Sequence, residues 1–245
     1  MSELTLIEGQ TAVLAVLASK SRKVEKILLA KETDRRKKIA LVPIIRRAET
    51  SGIPVEELDR ERIDELCTGK THGGVAAYVG EREYASLEKA LETENGFFVL
   101  LDGVEDPYNF GQAIRAVYAA GCDGILLPER NWMSAAAVVA RASAGASEYI
   151  SAISTDVKAA LSEFKKKGYR IVVCDNTKES VPMQSAELKK PLVLVIGGEK
   201  RGIHAELRAL KDVEARIEYG REFNASLGAA AASSILAFEV LRQNS

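Results

Sequence analysis

Leu101-Asp102-Gly103-Val104-Glu105-Asp106-Pro107-Tyr108-Asn109-Phe110-Gly111-Gln112-Ala113-Ile114-Arg115 reads as a strand end, a turn and a helix start. An apolar run, Phe97 to Leu101, breaks at an acidic, proline-containing turn and re-enters a helix through Asn109 and Gly111. A strand that feeds a helix through a polar loop delivers groups to the carboxyl edge of a sheet, where open α/β proteins bind ligands. Arg115 lies four residues after Gly111 and six after Asn109, so helical spacing puts Arg115 and Gly111 on one face. The guanidinium can then lie over a surface kept open by a residue without a side chain. The plainer reading of the same residues is a helix capped by Asn109 and carrying a solvated arginine.

The chain on the carboxyl side of this stretch alternates strand and helix. Strands are predicted at Phe97–Leu101, Gly124–Leu127, Arg170–Cys174, Leu192–Ile196 and Ala215–Tyr219, and helices at Gly111–Ala120, Ser134–Ala142, Val157–Lys167, His204–Ala209 and Leu227–Arg242. Nearly continuous apolar strands separated by helices indicate a parallel sheet covered on both faces. The chain on the amino side reads as a small α/β unit: helix Gly9–Leu17, strand Val24–Ala30, helix Arg36–Thr50, a short strand at Ile53–Val55, helix Arg62–Cys67 and a last strand Gly74–Val79. Gly80 to Asn95 is charged and reads as a mostly helical connector that ends in the turn signal Asn95-Gly96. The predicted division is therefore 1–80, a linker 81–95, and 96–245.

With 245 residues, 47% hydrophobic and 28% charged, the chain reads as a folded protein of one or two domains. A net charge of -1 argues against wholesale coating by nucleic acid but leaves room for a local basic patch. No apolar run reaches membrane-spanning length and no signal-peptide pattern opens the chain. Cys67, Cys122 and Cys174 are odd in number and widely spaced, which suits reduced thiols in a cytoplasmic protein. His72 and His204 are too few and too far apart for a metal site.

Two further segments carry chemistry. Gly197-Gly198-Glu199-Lys200-Arg201-Gly202 follows a strand, and adjacent glycines there let a ligand approach main-chain groups, although an ordinary glycine-rich turn has the same look. The loop is not a nucleotide P-loop, and a Gly-x-Gly-x-x-Gly fingerprint is missing after the first strand of either part. Asn224-Ala225-Ser226-Leu227-Gly228 opens an alanine-rich helix, with Asn224 and Ser226 read as sitting where backbone N–H groups are free.

Taken together, the three segments resemble the SpoU (TrmH-type) branch of the SPOUT methyltransferases. Asn109, Gly111 and Arg115 match the family's Asn-x-Gly-x-x-x-Arg motif; Gly197, Glu199 and Gly202 match its Gly-x-Glu-x-x-Gly loop. Ser226, Leu227, Ile235, Leu236, Phe238 and Glu239 match its Ser-Leu-Asn helix start and continuation. The first part is similar to the family's N-terminal RNA-binding domain, with His72-Gly73-Gly74-Val75 at its last strand. Two departures stand out: Gly228 replaces the family asparagine, and Ile217-Glu218-Tyr219-Gly220 lacks the proline of the preceding loop.

The resemblance implies an α/β fold: a small N-terminal α/β RNA-binding domain followed by a parallel-sheet SPOUT domain with a C-terminal trefoil knot. It implies transfer of a methyl from S-adenosylmethionine to a ribose 2′-oxygen of RNA, with ribosomal RNA favoured over transfer RNA. The alternatives are a tRNA-directed enzyme and a non-catalytic RNA-binding or ribosome-assembly protein that keeps the fold. Carried over by position, Gly197, Gly198, Gly202, Ile217 and Leu227 hold the cofactor, while Arg115, Asn109, Glu199 and Ser226 form the catalytic set. The family assigns proton removal to the arginine; because a guanidinium stays protonated, binding of the adjacent phosphate and stabilisation of the developing alkoxide is an equal reading. The implied partners are RNA and a second copy of the chain, with the last helix and the Asn109 helix at the dimer interface. RNA contact is expected at Arg22, Lys23, Lys31, Arg35, Arg36, Lys37 and Lys38, a cluster that a solvated helix start would also explain. No metal and no membrane are expected.

Overall fold

A computed structural model describes residues 4–31, 34–69, 71–129, 133 and 135–245. In chain order its elements are β1 (Thr5–Glu8), α1 (Gln10–Ser19), β2 (Arg22–Ala30), α2 (Arg35–Ser51), β3 (Val55–Leu58), α3 (Arg60–Leu66) and β4 (Val75–Arg82). There follow α4 (Leu87–Ala90), β5 (Phe97–Asp102), α5 (Pro107–Ala119), β6 (Gly124–Leu127), α6 (Ala136–Ala142), α7 (Ala146–Tyr149) and β7 (Ser151–Ser154). The chain ends with α8 (Val157–Lys166), β8 (Arg170–Cys174), β9 (Val181–Pro182), β10 (Leu192–Gly197), α9 (Ala205–Arg208), β11 (Val213–Arg216) and α10 (Ala229–Asn244). These elements form two compact units: residues up to 83 together with 133–149, and 84–132 together with 150–245.

The first unit is built on a four-stranded sheet of order β1-β4-β2-β3, in which β4 runs antiparallel to β1 and β2, and β3 runs parallel to β2. Ile7, Val13, Val16, Ile27, Leu29, Ile44, Val75 and Val79 fill its core, joined by Ala136 and Ala140 of α6. The segment 133–149, which the sequence reading places in the second part, is held to the first unit by buried charge as well as by alanine packing. Glu148 accepts from Ser21 Oγ at 2.6 Å, Arg22 Nε at 3.0 Å and Arg82 Nη1 at 3.1 Å, and Arg141 pairs with Glu8 at 3.1 Å. Arg22 is thus a buried structural residue rather than a free RNA contact. Lys23 and Lys31 pair with Glu25 and Asp59. Arg35, Arg36, Lys37 and Lys38 are exposed in the first turn of α2, whose N-terminus Asp34 caps.

The second unit carries a seven-stranded, all-parallel sheet of order β7-β6-β5-β10-β8-β11-β9. Alternation along the strands sends Phe98, Leu100, Val193, Val195, Ile171 and Val173 to one face, where Ala160, Leu161 and Phe164 of α8 and Leu207 of α9 close a core. Phe97, Val99, Leu101, Leu192, Leu194 and Ile196 are buried on the other face. There α10 packs on β10 and on α5.

Several boundaries differ from the sequence reading. The helix after β5 begins at Pro107, because Asp106 and not Asn109 is the cap: Asp106 Oδ1 accepts the Asn109 N–H at 2.7 Å. The expected strand Ala215–Tyr219 is instead Val213–Arg216; its partners β8 and β9 end at that level, and beyond Arg216 the chain leaves the sheet as a loop. The last helix begins at Ala229, so Asn224, Ser226 and Leu227 lie in the loop before it rather than in its first turn. The strand expected at Ile53–Val55 pairs over Val55–Leu58, and the connector is helical over Leu87–Ala90 while β4 runs on to Arg82. Ser134, the expected start of α6, lies outside the described residues. Among the described residues no helix is long and apolar enough to cross a membrane.

Candidate active site

The site grows from the carboxyl ends of β5 and β10, which lie in register with Gly197 opposite Asp102. The Gly198 N–H continues that ladder to the Asp102 carbonyl at 2.7 Å. The two backbones then come so close that a Cβ on Gly198 would stand 1.9 Å from the Gly103 carbonyl oxygen. Gly202, at φ 63, folds the loop back so that its N–H meets the Gly198 carbonyl at 3.0 Å. A Cβ on Gly197 would stand 2.7 Å from the Gly202 carbonyl carbon. Both glycines are thus demanded by close approach of main chain to main chain, as expected for a loop that must stay thin beside a ligand. Asp102 anchors the far side of the loop, accepting the His204 N–H at 2.8 Å and lying 2.8 Å from His204 Nδ1.

Between its glycines the loop presents Glu199, Lys200 and Arg201 to solvent. Lys200 and Arg201 pair with Glu105 at 2.9 and 3.4 Å, and the hydrogen bond from Lys200 holds the Glu105 carboxyl below the usual glutamate value. Glu199 Oε1 accepts from the Ala229 N–H at the start of α10 and from Asn109 Nδ2 on α5. One carboxylate therefore ties the glycine loop to two helices.

The loop after β11 closes the other side. Tyr219 Oη accepts the Leu227 N–H at 3.1 Å, and the Tyr219 ring lies 6.0 Å from that of Phe223. Between this loop, the glycine loop and the ends of β8, β10 and β11 lies a pocket of about 230 Å³. Its wall includes all five residues carried over for cofactor contact, Gly197, Gly198, Gly202, Ile217 and Leu227, and two of the catalytic set, Glu199 and Ser226. Asp175, Tyr219, Ile196, Ile203 and Leu236 complete much of the lining. A neighbouring hollow of about 180 Å³ is lined by Gly103, Glu105, Asp106, Asn109, Glu199 and Lys200, so Glu199 stands between the two. Arg115 lines neither; it is exposed on α5 and makes no hydrogen bond or ion pair among the described residues.

Asp175, Tyr219 and the Glu105–Lys200 pair escaped the sequence reading. Asp175 follows β8 with no motif around it, and the pattern over Ala215–Tyr219 reads as a strand, which hides Tyr219 from a loop role. Only the tertiary fold brings Asp175 and Tyr219 to the pocket wall and the Glu105–Lys200 pair to the neighbouring hollow.

Comparison with known proteins agrees across the whole chain. The description "SpoU rRNA Methylase family" matches residues 96–238, and "RNA 2'-O ribose methyltransferase substrate binding" matches residues 6–85. The chain is 34% identical to the TrmH-family protein YacO of Bacillus subtilis, over 96% of this chain and 94% of that one. It is 31% identical to the 23S rRNA (guanosine-2'-O-)-methyltransferase RlmB of Shewanella oneidensis, over 99% of both. In fold it is similar to the crystal structure of AviRb, a SpoU methyltransferase of Streptomyces viridochromogenes in complex with AdoMet, with a TM-score of 0.77, 20% identity, and coverage of 98% and 90%. With the second and third motif segments around one pocket, Asn109 of the first at the neighbouring hollow, and a family match over residues 96–238, the chain belongs to the SpoU rRNA methylase family.

Proposed function

We propose that this protein transfers a methyl group from S-adenosylmethionine to a ribose 2′-oxygen of RNA, with ribosomal RNA as its substrate. The observation that carries the reading is the convergence of Gly197, Gly198, Gly202, Ile217 and Leu227 on one pocket wall, with Glu199 linking that pocket to Asn109. The full-length similarity to an rRNA guanosine-2'-O-methyltransferase supports the substrate class.

The pocket suits the cofactor. Its apolar side chains, Ile196, Ile203, Ile217, Leu227 and Leu236, can cover an adenosine, and glycines whose Cβ atoms would collide leave main-chain groups near the ligand. S-adenosylmethionine, when bound, supplies an electrophilic methyl on a sulfonium. The chain's own work is then to position a weak nucleophile and manage its proton. Arg115, with no hydrogen-bond or ion-pair partner among the described residues, is available to a backbone phosphate of the RNA and to the negative charge that develops on the 2′-oxygen. Asn109 and Glu199 hold the two helices and the glycine loop in register, and Ser226 offers a hydroxyl at the pocket edge.

The protein acts in the cytoplasm as a homodimer; Phe238 and Leu241, exposed on α10, supply an apolar surface for a second copy. Since α10 packs on α5 within one chain, these two helices would meet the partner as a pair.

The test is incubation of the protein and its Arg115→Ala variant with labelled S-adenosylmethionine and unmodified total RNA, followed by nucleoside mass spectrometry. Wild type yields a 2′-O-methyl nucleoside, and Arg115→Ala, folded as wild type, yields about 100-fold less. Folded protein that labels no RNA would sink the reading.

A further inference from the structure

We propose that Tyr108 is a stacking platform for an unpaired base of the RNA strand, set beside the ribose that is methylated; this rests on the methyl-transfer reading above. Tyr108 is 52% exposed, and among the described residues its side chain makes no hydrogen bond, ion pair or ring contact. Phe98, Phe164 and Tyr169 pack on one another and Tyr219 meets Phe223, whereas Tyr84, Tyr118 and Phe238 are exposed elsewhere on the second unit. A ring left in water keeps both of its faces available to an external partner, and its position on the helix has to say which one.

Its place on α5 says which partner. Tyr108 precedes Asn109, whose amide reaches Glu199 at the pocket boundary. Seven residues on, Arg115 falls within about 20° of the same helical stripe and about 10 Å along the axis. Both side chains are exposed and, among the described residues, without a partner, and Gln112 lies between them on the stripe. A ring and an unpaired guanidinium on one stripe match the two repeating features of a single RNA strand, the base face and the phosphate. A second copy of this chain fits the stripe less well, because burying Arg115 at an interface without an acidic partner is costly. Phe238 and Leu241 offer that role an apolar surface instead.

The experiment uses the full chain with Tyr108→Leu, Tyr108→Phe and Tyr108→Trp, and large-subunit ribosomal RNA transcribed in vitro as the probe. Tyr108→Leu is expected to raise the KM for RNA about 10-fold, with the KM for S-adenosylmethionine and the melting temperature unchanged, while Tyr108→Phe restores the wild-type value. Tyr108→Trp emission, measured against wild type with its single native tryptophan, is quenched when the RNA is added. Equal KM values for RNA in the leucine and phenylalanine variants, with no quenching, would overturn the proposal. So would a tryptophan signal that changes with protein concentration and ignores RNA, since that assigns the ring to a contact between copies. Quenching by RNA from a wild type that methylates nothing would leave the Tyr108 contact standing and refute the methyl-transfer reading instead.

Discussion

Asn109 and Glu199, ninety residues apart, meet with Nδ2 donating to Oε1 at 3.4 Å, and the same oxygen accepts the Ala229 N–H at 3.3 Å. The carboxylate has room to do both because residue 228 is glycine: a Cβ there would stand 2.8 Å from Oε1. The departure from the family asparagine is therefore matched by the position of Glu199.

The backbone of Gly228, at φ -59 and ψ 151, is open to any residue, so Gly228→Ala adds a collision without backbone strain. It is expected to displace the Glu199 carboxylate and lower methyl transfer several-fold while the protein stays folded. Glu199→Ala, which also uncaps α10, is expected to cost about 1 kcal/mol in urea denaturation, and Glu199→Gln, which keeps an acceptor oxygen, only a few tenths. Rate and stability measured on the three variants separate the two roles; wild-type kinetics in Gly228→Ala would refute the link.

Gly198→Ala is expected to destabilise the second unit by about 3 kcal/mol, because its Cβ must push against a backbone carbonyl that belongs to the β5 end. Gly220→Ala, in the loop after β11 with nothing within 4 Å of the added carbon, is the control and should change stability by less than about 0.5 kcal/mol. Thermal or urea unfolding of both variants reads the difference.

In the first unit, Glu148→Ala is expected to cost about 4 kcal/mol, since it removes the carboxylate that the buried Arg22 and Arg82 share. The same substitution should loosen 133–149, seen as faster amide hydrogen exchange at α6 and α7. Protection unchanged there would show that alanine packing alone holds the segment.

Stability should fall as the pH drops through the carboxylate range. Burial by itself pushes the Glu214 carboxyl up, but hydrogen bonds from Lys211 and Thr177 and the charge of Arg208 hold it below the ordinary glutamate value of 4.5. A lowered folded value means that the unfolded chain binds the proton more readily, so the contribution is complete above 4.5 and is lost as pH falls below it. Urea midpoints between pH 6 and 3 should drop in wild type, and less steeply in Glu214→Gln.

What could be read from the chain was governed by local pattern. Phe97–Leu101, Gly124–Leu127, Arg170–Cys174 and Leu192–Ile196 announce themselves as strands because every residue in them except Arg170 is apolar or small, as burial on both faces requires. Helix α8 was legible from end to end for the matching reason, an apolar stripe behind the Asp156 cap. Short or polar elements were not: β1 has four residues, β9 has two, and the latter is recognisable only by its pairing with β11. The start of α5 was misplaced because Asp106 and Asn109 are both good caps, and the bond that chooses between them is visible only in three dimensions.

The sequence by itself determined the α/β class, the parallel direction of the apolar strands in the second part and the residue types around the site, because hydrophobic periodicity and glycine placement are local properties. Tertiary structure alone decided that 133–149 joins the first unit, that Arg22 is consumed by Glu148, and that Glu199 is shared between Asn109 and Ala229. Those outcomes depend on which distant groups compete for the same carboxylate, and a linear pattern carries no record of that competition.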